Sequence, residues 1–107
     1  MSSRAEQDGS VRDQIAALLQ GGLKTEVWPR AESSEDVVAL VQRLHSVADD
    51  LQGKLVAAGF TDHVITADGL DQPCETCMYY LVNRRFCVLP ELMVPVEAEW
   101  SCRLWRI

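Results

Sequence analysis

The sequence predicts a small fold of α-helix plus irregular structure: an N-terminal, hairpin-like helical part with one long helix, then a loop-rich C-terminal module with little β-structure. Three observations predict it. Apolar residues recur at helical spacing through residues 11–19 and again through 37–58. Glycines stand where both runs stop, at Gly21-Gly22 and at Gly59. All four cysteines, both tyrosines and three of the four prolines fall in residues 73–107. At 107 residues, 48% hydrophobic and 24% charged, the chain has the length and composition of one small globular domain.

Residues 1–9 read as a flexible polar tail. Ser10 is placed as a helix N-cap with Asp13 three residues on, a weak form of the capping box. Val11, Ile15, Leu18 and Leu19 then form one apolar stripe of a helix over 10–20. Such a helix is too short to persist alone, so its stripe has to pack on something.

Ser33 opens a stronger signal. With Asp36 it repeats the cap pattern, and Glu35 and Asp36 suit the positive end of a helix dipole. Val37, Val41, Leu44, Ala48, Leu51, Leu55 and Ala58 follow in 4-3-4-3-4-3 steps, which predicts one helix over about 34–58. Gly53 inside it costs about 1 kcal/mol, with no reason visible in the sequence. The first helix is too short to cover the whole stripe. The seam either packs within the chain or offers Val37, Val41, Leu44, Leu51 and Leu55 as an association surface for a protein partner or a second copy of the chain. Phe60 to Ile65 can extend as a short strand, and Asp68-Gly69 is a turn signal. The helical region is thus 10–72, and the four-cysteine module 73–107.

Charge excludes some functions. There are 10 basic and 16 acidic residues, a net of −6, and no basic block. Nucleic acid and anionic membrane surfaces are therefore poor partners. The excess sits in residues 31–72, with two basic and eight acidic residues. No apolar run reaches the roughly 18 residues that a membrane span needs. The N-terminal residues show no basic-then-apolar leader pattern, which points to a cytoplasmic, thiol-reducing location.

In that setting cysteines are more often ligands or redox groups than structural disulfides. Cys74, Cys77, Cys87 and Cys102 give the spacing C-x2-C-x9-C-x14-C. A segment of about 35 residues is too small to hold a fold by apolar burial alone, and a bound metal supplies a cross-link and a centre. Structural zinc usually takes two close cysteine pairs. Here only Cys74 and Cys77 are close, and Cys87 and Cys102 arrive singly, which better suits the four separated corners of a 4Fe–4S cubane. One zinc ion on the same four cysteines, as the core of a protein-interaction adaptor with no redox role, is the alternative. Free thiols or a disulfide form a third reading, although Cys74-x-x-Cys77 lacks the strand-then-helix setting of a thioredoxin-like pair.

The stretch CETCMYYLVNRRFCVLPELMVPVEAEWSCRLW resembles the cluster-binding part of high-potential iron–sulfur proteins. The matching residues are Cys74, Cys77 and Tyr79, then Cys87, Leu89 and Pro90, then Val96, Trp100, Cys102 and Trp105. It is similar also to the HiPIP-like small subunits of glycyl-radical enzymes, which work in the cytoplasm. The nine-residue second spacing is shorter than is typical, and Ser101 separates Trp100 from Cys102. The resemblance implies a 4Fe–4S cluster on the four cysteines and a role in electron transfer, or as an accessory subunit of a redox or radical enzyme.

Arg84, Arg85, Arg103 and Arg106 lie close in sequence to Cys87 and Cys102. They are either ordinary surface cations or offsets for a negatively charged cluster, which would help to raise its potential. Trp100 and Trp105 read as core that would also shield a cluster. His45 falls on the outer face of the long helix and His63 beside Asp62, neither in a ligand frame with the cysteines. No nucleophile–base order, catalytic carboxylate pair or phosphate-binding glycine loop stands out, so the chain is not expected to be an enzyme by itself.

Overall fold

A computed structural model describes residues 4–67 and 69–106. Three helices and two small antiparallel sheets follow in order: α1 (Arg4–Gln20), α2 (Ser34–Ser46), α3 (Leu51–Ala58), β1 (Thr66–Ala67), β2 (Leu70–Asp71), β3 (Tyr80–Leu81), β4 (Phe86–Cys87) and β5 (Val94–Pro95). The radius of gyration is 13.0 Å, which is what a single domain of this length has. No helix among the described residues is long and apolar enough to cross a membrane.

Helix α1 does not begin at Ser10. Its first turns run through 4–9, a segment expected to be a tail; residues 1–3 of that tail lie outside the described residues. The reason lies at the far end of the chain. Asp8 accepts two hydrogen bonds from the Arg84 guanidinium, at 2.7 and 3.0 Å. One turn on, buried Arg12 donates to the carbonyls of Val96 (3.0 Å), Arg84 (3.3 Å) and Arg85 (3.0 Å). Both lie on the face that packs against β5, with Ile15 fully buried below them. The helix ends at Gly21-Gly22 as the sequence predicts, with Gly22 at φ +95°.

The expected long helix is two helices. Ser33 and Asp36 form the capping box at the start of α2, but the chain leaves the helix after Ser46 and restarts at Leu51. The charges favour the break. Arg43 and His45 now stand at the negative end of α2, and Asp50 at the positive end of α3. Gly53 makes the corner feasible, because a Cβ there would lie 2.8 Å from Asp50 Oδ2 and 3.0 Å from Val47 Cβ. The two helices pack on each other, and the apolar stripe turns inward. Leu44 and Leu55 are fully buried, Leu40 nearly so, and Val37, Val41 and Leu51 are partly buried. Of the stripe, Leu44, Leu55 and Ala58 are core, Ala48 is exposed, and Val37, Val41 and Leu51 keep part of their surface, so the seam packs largely within the chain.

Gly59 ends α3 in the left-handed region (φ +67°). Instead of a strand over 60–65 there is a single bridge, Thr61 with Ser101. β1 and β2 pair as a two-residue hairpin around Gly69 (φ +77°); Asp68 of the expected turn lies outside the described residues. The second sheet has the order β3-β4-β5. Ile15, Leu40, Leu44, Leu55, Phe60, Leu89, Leu92, Val96 and Trp100 belong to one continuous core, which also contains Cys74, Cys87 and Cys102.

Candidate metal centre

Three local devices deliver the four cysteines. Pro73 precedes a 3-10 turn over Cys74–Thr76, and the Cys77 amide closes it on the Cys74 carbonyl at 2.9 Å. Closing the turn sets the close pair side by side. The Trp105 indole N–H latches it, donating to the Pro73 carbonyl (3.1 Å) and to Thr76 Oγ1 (3.0 Å). Cys87 sits in the central strand, opposite Tyr80 on one side and Val94 on the other. The β3–β4 turn depends on Arg85 at φ +52°, whose amide donates to the Leu81 carbonyl. Cys102 hangs from the Thr61–Ser101 bridge, and the next amide, of Arg103, donates to the Ala58 carbonyl at 2.9 Å. The Cys74 and Cys102 segments are stitched together where the Cys74 amide donates to the Trp100 carbonyl at 2.6 Å.

These devices bring all four sulfurs to one cavity. Cys74, Cys77, Cys87 and Cys102 line it together with Phe60, Val96, Tyr79, Tyr80 and Trp105. About 290 Å³ of space, part of it open to solvent, lies between the lining atoms, and the water-accessible cavity itself is about 20 Å³. All four thiols are free; Cys74, Cys87 and Cys102 are buried and Cys77 is partly exposed. Among the described residues, no group of three or more His, Cys, Asp or Glu side chains is arranged to hold a metal ion.

Burial and mutual repulsion shape the thiols. Desolvation pushes Cys74 well above its ordinary value, and the neighbouring cysteines push it further. Burial raises Cys87 to about 11, against a hydrogen bond from the Leu89 amide. It raises Cys102 to about 12, against one from the Leu104 amide. An N–H two residues beyond a cysteine, aimed at its sulfur, is poised to stabilise a thiolate once a cation neutralises the site.

Of the arginines noted in the sequence, Arg84 pairs with Asp8 and lies over the Phe86 ring at 3.6 Å, and Arg85 pairs with Glu97 at 3.2 Å. Arg103 is buried, donating to the Ala57 carbonyl. Arg106 offers its carbonyl to the Met78 amide. Trp100 is core, while Trp105 is a wall of the cavity. His45 and His63 stay exposed and away from the cysteines, beside Glu91 and Asp62 respectively. Sequence reasoning missed Arg30, buried against Cys102, and Phe60, a wall of the cavity. Phe60 follows the helix-ending Gly59 and was legible as apolar, but nothing local marks Arg30. No family model, characterised protein or solved structure matches the chain, so its functional reading rests on the chemistry of this site.

Proposed function

We propose that the chain is a small iron–sulfur protein that carries a 4Fe–4S group on Cys74, Cys77, Cys87 and Cys102 and serves in electron transfer, or as an accessory subunit of a redox or radical enzyme. The observation that carries this reading is that four free cysteines from three separate segments line one apolar, aromatic-walled cavity. The donor set fits the group. Four cysteine thiolates are the donor set that a 4Fe–4S group takes, one at each corner.

When bound, such a cluster supplies one-electron chemistry. The chain's own residues hold it and exclude water: Phe60, Val96 and the Tyr79, Tyr80 and Trp105 rings form the walls, and the Leu89 and Leu104 amides favour the thiolates. Cys77, the partly exposed ligand, marks the side nearest a redox partner. The reading as a zinc-stabilised adaptor is favoured by one dimension, the small water-accessible part of the cavity.

Anaerobic purification followed by metal and sulfide analysis separates the two. The cluster reading expects brown protein, broad absorption near 400 nm, and about four irons and four sulfides per chain. One zinc per chain with no sulfide, in colourless protein, establishes the adaptor reading instead. Cys102→Ser, which removes one corner thiolate, should strip most of the iron.

A further inference from the structure

Arg30 is a buried cation with neutral neighbours. Its side chain is 6% exposed. Nε and Nη2 donate to Gln72 Oε1 at 3.0 and 2.8 Å, and Nη2 also donates to Ser101 Oγ at 3.2 Å and to the Cys102 carbonyl at 2.6 Å. Nη1 reaches the Val27 carbonyl at 3.4 Å, and the Trp28 ring lies 5.6 Å away. Among the described residues, no carboxylate bonds to it. Arg103, 5% exposed, stands in a similar position: its Nη2 has no hydrogen-bond partner, and the nearest carboxylate, Glu26 at 4.0 Å, already pairs with Arg43. Arg30 bonds the Cys102 carbonyl and Arg103 is the residue that follows Cys102, so both arginines flank this corner of the site.

A buried cation with no bonded anion is costly, and a second buried guanidinium nearby adds to the cost. A chain with a net charge of −6 has carboxylates to spare, yet the hydrogen bonds of Arg30 among the described residues all go to neutral groups. The missing negative charge is what four thiolates around a metal would supply. Four thiolates on one Zn²⁺ leave a net −2, and a cubane on four thiolates is likewise negative. Arg30 also touches both flanks of the site, Gln72 before the Cys74 turn and Ser101–Cys102 after it, so its charge is fixed in place. Resting on the metal-centre reading above, we propose that Arg30 is the counter-charge of the cysteine site. It compensates the bound metal–thiolate group from the Cys102 side, and so sets how firmly the metal is kept and how readily the site accepts an electron.

The test compares Arg30→Gln and Arg30→Lys with the unaltered chain, and takes Arg43→Gln as a surface control. Each is purified anaerobically and checked by circular dichroism. Metal loss to a chelator is then timed by absorbance and metal analysis, and the reduction potential is measured on any iron–sulfur form. Lysine keeps the charge and cannot make the forked hydrogen bonds; glutamine loses the charge. The proposal expects Arg30→Gln to release metal at least about tenfold faster and to have a lower potential, with Arg30→Lys close to the unaltered chain and Arg43→Gln indistinguishable from it. Equal behaviour of the glutamine and lysine variants, whether both are normal or both are damaged, makes Arg30 a structural clamp and overturns the proposal. If Arg30→Gln does not fold, the lysine variant decides in the same way: retention of metal supports the counter-charge, and a second failure to fold overturns it. An unaltered chain that binds no metal removes the metal-centre reading itself, and the proposal with it.

Discussion

Gly59 shows how one residue can hold the site from outside it. It sits at φ +67°, and a Cβ there would lie 2.3 Å from the Glu26 carbonyl oxygen and 3.1 Å from Arg103 Cγ. The Glu26 backbone and the Arg103 stem can approach the end of α3 only because that space is empty. Gly59→Ala should cost about 2–4 kcal/mol, read as a lower urea midpoint, and should loosen the Cys102 segment first. The cysteines give a second expectation, for the metal-free chain. Cys87 and Cys102 are raised from 9.0 to about 11 and about 12, and Cys74 well above 9.0. The folded chain therefore holds these protons more tightly than the unfolded chain, and stability must fall as pH rises. It should be whole below about pH 9 and decline progressively toward pH 11–12, as denaturation midpoints across that range will show. Cys→Ser at position 102 should flatten the decline. The four cysteines and the cap residues Ser33, Asp36, Gly22 and Gly59 were legible because each acts through its own chemistry or its immediate neighbours. Arg12 and Arg30 were not, because their partners lie 72 and more, or 42 and more, residues away along the chain for all but one of their bonds.

At the scale of elements, periodicity located the apolar stripe correctly and misjudged the helix that carries it. A 4-3 repeat records which side is buried, and two short helices packed on each other can satisfy it as well as one long helix. Gly53 and the Asp49-Asp50 pair were the local signs of a corner, visible only once helix dipoles and side-chain space are considered together. The consequence is testable at Leu44, which has no exposed surface. Leu44→Asp should unfold the chain, at a cost above about 4 kcal/mol, with loss of helical circular dichroism and not merely loss of association. Helix α1 shows the opposite limit. Its early start comes from the tertiary partners of Asp8 and Arg12, which no local propensity encodes.

For the whole molecule, the decisive feature is that the helices and the cysteine segment share one core. Loops and two-residue strands carry three of the four cysteines, so the module has little secondary structure of its own to lean on. If the proposed group is bound, its removal should therefore be felt beyond residue 73. Hydrogen exchange should show the amides of β4, β5 and the Cys102 segment losing protection first, with α3 following because the Ala58 carbonyl and Leu55 are tied into the same assembly. Exchange confined to residues 73–106, with α3 unchanged, would show the helices to be an independent unit.

The bond from Arg12 to the Val96 carbonyl joins residues 84 apart. It also dictates a timetable. Of the three helices, α1 is made before the others and its buried charge waits longest, since its acceptors at 84, 85 and 96 are made more than 70 residues later, shortly before Cys102. Until Cys102 has cleared the exit tunnel, α1 has no place to dock and the cavity lacks a wall. Closing so long a loop is slow and comes late. The metal proposed for these cysteines would therefore meet either a chain still open or one already closed around its thiols, and pulse-labelled nascent chains loaded before and after residue 102 emerges would tell which.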